Sequence, residues 1–289
     1  MAKLRPPAAP FWGSGHAERA RYFLFGAPLD LTGSGRLGTG EAPTAVRWAS
    51  ANIESYSPIL DADVFDVGLT DLGDLALASL ELVPALDEIE RTATDVLARG
   101  VPVVIGGEHT IALAIGRAVK RMHPDAIILW LDAHLDLADE LDGRNLAHGT
   151  WACRLGDEIG YDDFIVLGAR SGTRDEWERS KRCLHASADL HLPDDVRARI
   201  GNRPVYLSID IDVLDPSAAP GTGTPEPPGP TSRELFSFLY SLRGLNLVAL
   251  DVNEILPGVD PSGITAVTGA KLIREACIQF GLRQAAPSP

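Results

Sequence analysis

One stretch constrains the fold more than any other, an unbroken apolar run at residues 126–131 that ends abruptly in Asp132, His134 and Asp136. Such a run predicts a strand that is buried on both faces, as in a parallel sheet. Because alternate residues of an extended chain share a face, the three polar side chains can point the same way. A single Asp here would more often cap a following helix. Three ligand-type residues at this spacing instead favour a polar site at the end of a buried strand.

The same pattern recurs at two other predicted strands. Residues 205–209 run into Asp210 and Asp212, and residues 101–105 run into Gly-Gly-Glu and then His109. In parallel α/β sheets, ligands bind beyond the carboxyl ends of the strands. We therefore expect three strand ends to deliver two histidines and four aspartates to one place.

The alternation of strands and helices predicts the fold class. Predicted strands cover residues 22–26, 64–68, 101–105, 126–131, 164–168, 205–209 and 246–252, and predicted helices cover residues 44–55, 82–97, 111–122, 149–158, 174–185, 233–242 and 266–280. This order predicts a three-layer α/β fold, with a doubly wound, mostly parallel sheet of about eight strands and helices on both faces. A closed barrel has the same pattern and is the alternative. Residues 1–289 are expected to form a single domain, with Pro/Ala-rich residues 1–15 as a loosely held arm.

The net charge and the cysteines of the sequence indicate which binding partners and which cellular compartment to expect. The net charge of −14 argues against nucleic acid or an anionic membrane surface as the main partner and fits a cationic substrate. The sequence has no apolar run of membrane-spanning length and no signal-peptide core at its N-terminus. The three cysteines lack metal or redox spacing, so a reducing cytoplasm is the expected location.

The strand-end acids favour a metal centre over a bare acid cluster. Four carboxylates packed together repel one another and are pushed towards protonation. Two divalent cations would balance four ionised aspartates. Ligation by many oxygens and a few imidazoles suits manganese better than structural zinc. A pair of such cations lowers the pKa of water enough to supply hydroxide near neutral pH.

Several motifs together resemble those of a known family. They are Gly-Gly-Glu-His109, Asp132-Ala-His134-Leu-Asp136, Ser208-Ile-Asp210-Ile-Asp212-Val-Leu-Asp215-Pro, the early Gly26-Ala-Pro28 and Arg36-Leu-Gly38, and the late Asp251-Val-Asn-Glu254-Ile-Leu-Pro257. On these motifs, and over nearly its whole length, the chain resembles the ureohydrolases, the arginase and agmatinase family. The chain carries Glu108 where many relatives have Asp, Ala42 where Gly is usual and Asn253 where a hydrophobic residue is common. None of these departures removes a ligand.

The resemblance implies a site and a reaction. Two manganese ions per subunit would be bridged by Asp132 and Asp210, with His109 and Asp136 on one ion and His134 and Asp212 on the other. Asp136 would also orient the hydroxide and take its proton, His148 would bind substrate and protonate the departing amine, and Glu254 would bind the guanidinium. A guanidinium is permanently cationic and planar, so an anionic, bidentate partner suits it. The products would be urea and an amine.

The acidic loop at residues 137–147 is the predicted determinant of substrate choice. Asp139, Glu140 and Asp142 outnumber Arg144, a set that suits a distal ammonium better than a carboxylate. We therefore predict that Asp139 and Asp142 bind substrate. The loop spacing resembles that of agmatinases from the archaeal and thermophilic-bacterial branch, which favours conversion of agmatine to putrescine and urea, a step of polyamine biosynthesis.

Other functions stay open from the sequence. Aminopropylagmatine, guanidinobutyrate, formiminoglutamate or arginine could be the substrate instead. A single-zinc deacetylase of related fold is disfavoured by the paired acids. A non-enzyme alternative is a catalytically silent homologue that regulates an active relative. The resemblance also implies a homo-oligomer, either a trimer or a hexamer.

Overall fold

The computed structural model describes residues 4–13 and 20–282. Within them, nine strands form the central sheet: β1 (Leu4–Arg5), β2 (Tyr22–Ala27), β5 (Leu69–Leu75), β6 (Val101–Gly106), β7 (Ile127–Leu131), β8 (Phe164–Leu167), β9 (His185–Ser187), β10 (Pro204–Asp210) and β11 (Asn246–Asn253). A separate ribbon pairs β3 (Tyr56–Ser57) with β4 (Ala62–Asp63). The order across the central sheet is β1-β5-β2-β6-β11-β10-β7-β8-β9. In the central sheet only the β1–β5 pair is antiparallel. The predicted mostly parallel sheet is confirmed, with nine strands rather than about eight, and its open order excludes the barrel.

Helices cover both faces of the sheet. They are α1 (Ala42–Ser50), α2 (Leu82–Leu97), α3 (Ile111–Met122), α4 (Trp151–Ile159), α5 (Arg174–Ser180), α6 (Asp194–Ile200), α7 (Ser232–Ser241) and α8 (Ile264–Gly281). The sheet separates two hydrophobic cores, one formed with α1, α6, α7 and α8 and the other with α2, α3 and α4. Along β6, Val103 and Ile105 enter the first core and Val104 enters the second. The predicted three-layer architecture is therefore confirmed. No helix in the described ranges is long and apolar enough to cross a membrane.

The strand predicted at residues 64–68 is wrong. Val64–Val67 form one turn of 3-10 helix, and β5 begins only at Leu69. Asp63 caps this turn by accepting the Phe65 N–H, while the Asp66 carboxylate accepts the Asp63 N–H. This reciprocal pair is a capping box, which satisfies the first amides of a helix and opposes an extended chain.

The helix predicted at residues 174–185 is too long, and two short elements after it were missed. Helix α5 ends at Ser180, and the edge strand β9 and helix α6 follow it. Strand β9 has only three residues, all partly exposed. A short, half-exposed edge strand carries no apolar run, so periodicity cannot reveal it.

The N-terminal segment is held more firmly than expected. Leu4 and Arg5 pair with Leu75 and Asp74 at the edge of the sheet. The Phe11 side chain is fully buried, and its amide donates to Asp71 Oδ2 at 2.9 Å. Residues 1–3 and 14–15 of the predicted arm lie outside the described residues.

Candidate active site

The candidate site lies where four adjacent strands end. Strands β6, β11, β10 and β7 are neighbours in the sheet and run parallel. Their carboxyl ends therefore share one edge. His109 follows β6, Asp132 follows β7, Asp210 is the last residue of β10, and Glu254 follows β11. The structure thus brings the predicted residues to one edge of the sheet.

One group of ligand-type atoms surrounds His109. Its Nδ1 atom lies 3.1 Å from Asp132 Oδ2, 3.1 Å from Asp136 Oδ2 and 3.3 Å from Asp210 Oδ2. The histidine and these three aspartates are all buried. In the described part of the chain, His109 Nδ1 and Asp132 Oδ2 are buried atoms without a hydrogen-bond partner. Buried polar atoms almost always have a hydrogen-bond or metal partner. These two unpartnered atoms therefore indicate that a bound group completes the site.

A second group shares Asp132 with the first. His134 Nδ1 lies 2.9 Å from Asp212 Oδ2 and 3.5 Å from Asp132 Oδ1. One oxygen of Asp132 thus faces each histidine. The ligand atoms of His109, Asp132 and Asp210 lie within 4.8 Å of one another, as do those of Asp132, His134 and Asp212. The structure brings together all six residues that were predicted as metal ligands.

The charges of this cluster are unbalanced. Burial and the charges of Asp136 and Asp212 raise the pKa of Asp132 to about 6. Burial and its like-charged neighbours also hold the pKa of Asp210 well above its usual range. Burial opposes ionisation of Asp212, but the charge of His134 outweighs it and lowers the pKa of Asp212 to about 2. Such opposed shifts are typical of carboxylates that lack sufficient positive charge. Divalent cations with a preference for oxygen and imidazole ligands fit this donor set.

Two predicted catalytic residues have a backbone conformation that is rare outside glycine. Asp136 has φ +52° and Glu254 has φ +60°. Each such residue costs about 1–3 kcal/mol and persists only where its surroundings enforce it. For Glu254, the amide donates to the Gly107 carbonyl at 2.9 Å, and Oε1 accepts the His109 amide at 2.7 Å. Burial raises the pKa of Glu254 well above its usual range, and the nearby Glu108 charge adds to the shift. A cationic group in the cavity would offset both effects.

His148 is held by the loop after β2. Its amide donates to Thr32 Oγ1 at 3.0 Å, and its Nδ1 lies 2.9 Å from the Thr32 carbonyl oxygen. Since a carbonyl can only accept, we assign the proton to Nδ1, which leaves Nε2 beside Ser34 Oγ at 3.0 Å. Thr32 is itself fixed, because its hydroxyl donates to Glu108 Oε1 at 2.6 Å. Glu108 thus supports the histidine through one intermediate residue.

A cavity of about 380 Å³ opens over the two groups of ligand atoms. Its lining includes Asp136, His148 and Glu254. Residues 171–173 and Glu176 also line it. This volume lies within the range of small-molecule sites.

Comparison with known proteins decides the family. Residues 20–279 match the Arginase family profile. The chain belongs to the arginase family. Agmatinase from Bacillus subtilis is 37% identical over 91% of this chain and 93% of its own length. Guanidinobutyrase from Pseudomonas aeruginosa is 36% identical over 89% and 86%, respectively. The structure of proclavaminate amidino hydrolase from Streptomyces clavuligerus superposes with a TM-score of 0.86 at 31% identity, covering 94% of this chain and 97% of that one.

These relationships make the protein an arginase-family hydrolase that acts on a guanidino compound. Arginase-family enzymes depend on metal, and the His/Asp groups at this site could hold metal ions.

The two loop aspartates predicted to bind substrate lie away from the arginase-family cavity. The Asp139 carboxylate pairs with Arg154, and 72% of its side chain is exposed. Asp142 is exposed in the turn closed by the Leu141–Arg144 bridge. Neither residue lines the cavity. Both remain predicted substrate contacts, but their position suits attraction of a cation at longer range.

Sequence reasoning missed several residues that support the site. Behind His109, the Ser208 hydroxyl lies 2.9 Å from Nε2 and donates to Asp251 Oδ1 at 2.6 Å. Because that hydroxyl proton goes to Asp251, His109 Nε2–H is the donor to Ser208, which leaves Nδ1 as the atom that faces the aspartates. The Asn253 amide also donates to Asp251 Oδ1. Ser208 and Asp251 stood within the quoted motifs, but nothing local in the sequence joined them.

Proposed function

We propose that this protein is a dimanganese ureohydrolase that converts agmatine to putrescine and urea. The observation that carries the proposal is the convergence of six ligand-type side chains, all but His134 buried, with Glu254 and His148 around one cavity. The residues that would hold the two ions are His109, Asp132, His134, Asp136, Asp210 and Asp212, and the resemblance assigns Asp132 and Asp210 to both ions.

Glu254, Asp136 and His148 have different roles in the proposed reaction. When bound, the cations supply the positive charge that acidifies water and provides a nucleophile near neutral pH. Glu254 accepts N–H groups of the guanidinium and fixes its plane. Asp136, which lies beside His109 in the first group, takes the proton released on attack. His148 Nε2, which carries no proton at rest because Nδ1 holds it, takes up that proton and passes it to the amine nitrogen as the C–N bond breaks.

The acidic wall of the cavity, where Glu176 lies, favours a substrate with a cationic tail. The Glu176 carboxylate is buried and already accepts three donors: the Leu137 amide at 3.2 Å, the Thr173 amide at 2.8 Å and the Thr173 hydroxyl at 2.9 Å. An ionised carboxylate has about four acceptor positions, so one remains for an ammonium. Asp139 and Asp142 outside the cavity add negative potential at its approach. The tail of agmatine is an ammonium, whereas guanidinobutyrate carries a carboxylate that these acids would repel.

Alternative substrates remain within the proposal. Aminopropylagmatine is a longer cation and fits the same acidic wall. Guanidinobutyrate is supported by similarity to the Pseudomonas aeruginosa guanidinobutyrase, and arginine belongs to the same chemical class. A catalytically silent, regulatory homologue is the non-enzyme alternative.

A substrate panel tests the proposal. Purified protein is incubated with Mn²⁺, and urea release is measured from agmatine, aminopropylagmatine, guanidinobutyrate and arginine. We expect agmatine to have the highest kcat/KM. Preference for guanidinobutyrate or arginine would overturn the argument from the acidic wall. Bound manganese without urea from any substrate would favour the silent homologue.

A further inference from the structure

Trp151 contacts the candidate metal centre from the first turn of α4. Its side chain is fully buried, and the indole Nε1–H donates to Asp136 Oδ2 at 2.8 Å. The same segment holds the backbone of Asp136, because the Cys153 amide donates to the Asp136 carbonyl at 3.3 Å. The beginning of α4 therefore fixes both the main chain and the carboxylate of this residue.

The indole ring also packs against a second candidate ligand. The ring centroids of Trp151 and His109 lie 5.0 Å apart with an interplanar angle of 44°. On another side, Trp151 meets Trp130 at 5.4 Å and 69°. The resemblance assigns His109 and Asp136 to the same ion, as the two ligands that this ion does not share with the other. Trp151 therefore contacts both of them.

The indole N–H limits what the Asp136 carboxylate can do. An indole nitrogen donates and cannot accept, so Oδ2 has to act as an acceptor. Asp136 sits in a left-handed backbone conformation that needs support from its surroundings. A fixed donor at 2.8 Å selects one orientation of the carboxylate and holds it against His109, where Oδ2 lies 3.1 Å from Nδ1. Partners of this kind orient metal ligands and are worth about 10- to 100-fold in affinity or activity.

We propose that Trp151 is a positioning residue that orients Asp136 through its indole N–H and strengthens metal binding at the ion held by His109 and Asp136. The inference rests on the proposed function, because it takes Asp136 as a ligand. It concerns a residue outside the motifs that carry the family resemblance.

The chain offers a matched control for this hydrogen bond. Trp130 is also fully buried in the same core, and its Nε1 has no hydrogen-bond partner among the described residues. Trp151→Phe removes an N–H that bonds Asp136, whereas Trp130→Phe removes one that bonds nothing. Both changes keep an aromatic ring in place and remove the same volume, so the variants differ in the loss of the hydrogen bond to Asp136.

Equilibrium dialysis with Mn²⁺ tests the proposal. We expect Trp151→Phe to weaken binding of one of two ions by about 10- to 100-fold, and Trp130→Phe to leave both affinities within a factor of about 2. With agmatine, kcat should fall in Trp151→Phe while KM holds, because Trp151 does not line the cavity. Equal Mn²⁺ affinities in the two variants would overturn the proposal.

A measurement on the metal-free protein keeps the test independent of whether Trp151→Phe folds. With ¹⁵N-labelled tryptophan, one indole proton should resonate at lower field than the others and should persist in Trp130→Phe. Asp136→Ala should shift that signal upfield; an unchanged set of indole signals would overturn the proposal. Neither the dialysis nor this spectrum requires turnover, so both remain conclusive even if agmatine is not the substrate. Failure of the wild-type protein to bind Mn²⁺ would instead contradict the proposed function itself.

Discussion

Replacing Glu254 by Gln should move catalysis and stability in opposite directions. The glutamine keeps the shape of the side chain and an oxygen that can accept the His109 amide, now at 2.7 Å from Oε1. What it removes is one buried negative charge. Two unit charges about 4 Å apart attract by about 4 kcal/mol at an effective dielectric constant of about 20. Since about 1.4 kcal/mol corresponds to a tenfold change in rate, kcat/KM for agmatine should fall on the order of 1000-fold.

The free energy of unfolding should rise in the same variant. Only 6% of Glu254 is exposed, and burial raises its pKa well above the usual range, so the ionised side chain destabilises the metal-free fold. Glutamine avoids that cost, and we expect a gain of about 0.5–2 kcal/mol, the size typical of single stabilising substitutions.

Urea unfolding in the presence of a chelator, beside steady-state kinetics with Mn²⁺, measures both effects. Glu178→Gln is the control, because Glu178 is exposed and pairs with Lys181 on the surface of α5. It should change neither quantity. A Glu254→Gln protein that loses stability, or that keeps kcat/KM within a factor of about 10, would refute the assignment of Glu254 as the buried anion for the guanidinium.

Three further predictions concern the metal ligands and the loop. Mn²⁺ at about 100 times its dissociation constant should stabilise the fold by about 2.7 kcal/mol. Calorimetry should therefore show a higher thermal unfolding midpoint with Mn²⁺ than with a chelator, and an unchanged midpoint would contradict a metal site in the folded state. Ser208→Ala leaves His109 Nε2 without its partner and should cost about 1–3 kcal/mol in urea unfolding, while weakening Mn²⁺ binding in dialysis; full Mn²⁺ affinity would contradict the proposed link to Asp251. Asp139→Asn should raise KM for agmatine by less than about twofold at physiological salt and more at low salt, because Arg154 already pairs with this carboxylate; a large, salt-independent rise would instead show direct contact.

The central strands, and the residues that gather at their ends, were predictable because their signals are local. An apolar run such as residues 126–131 followed by Asp132 and His134 marks a buried strand and its end within a few residues. Parallel pairing then brings such ends together by a general rule. The turn at Val64–Val67 misled the same reasoning, because an apolar pair next to a capping Asp63 reads as a short strand when periodicity alone is considered.

The supporting hydrogen bonds were not predictable because they depend on register and on helix placement. Ser208 and Asp251 are direct partners across β10 and β11, but the register shifts between Val205 and Tyr206. A shift of one residue would send Ser208 to the other face of the sheet. The Trp151 N–H reaches Asp136 only because α4 begins beside the ends of the strands, after the acidic loop. No spacing in the sequence predicts where that helix begins in space.

The most direct test of the account is the number of manganese ions that the protein binds at saturation. Dialysed protein is equilibrated with Mn²⁺, bound metal is measured by elemental analysis, and urea release from agmatine is followed in the same samples. We expect two ions per chain and activity that rises as both are bound. A single ion per chain, or agmatine hydrolysis that persists after all metal has been removed, would contradict it.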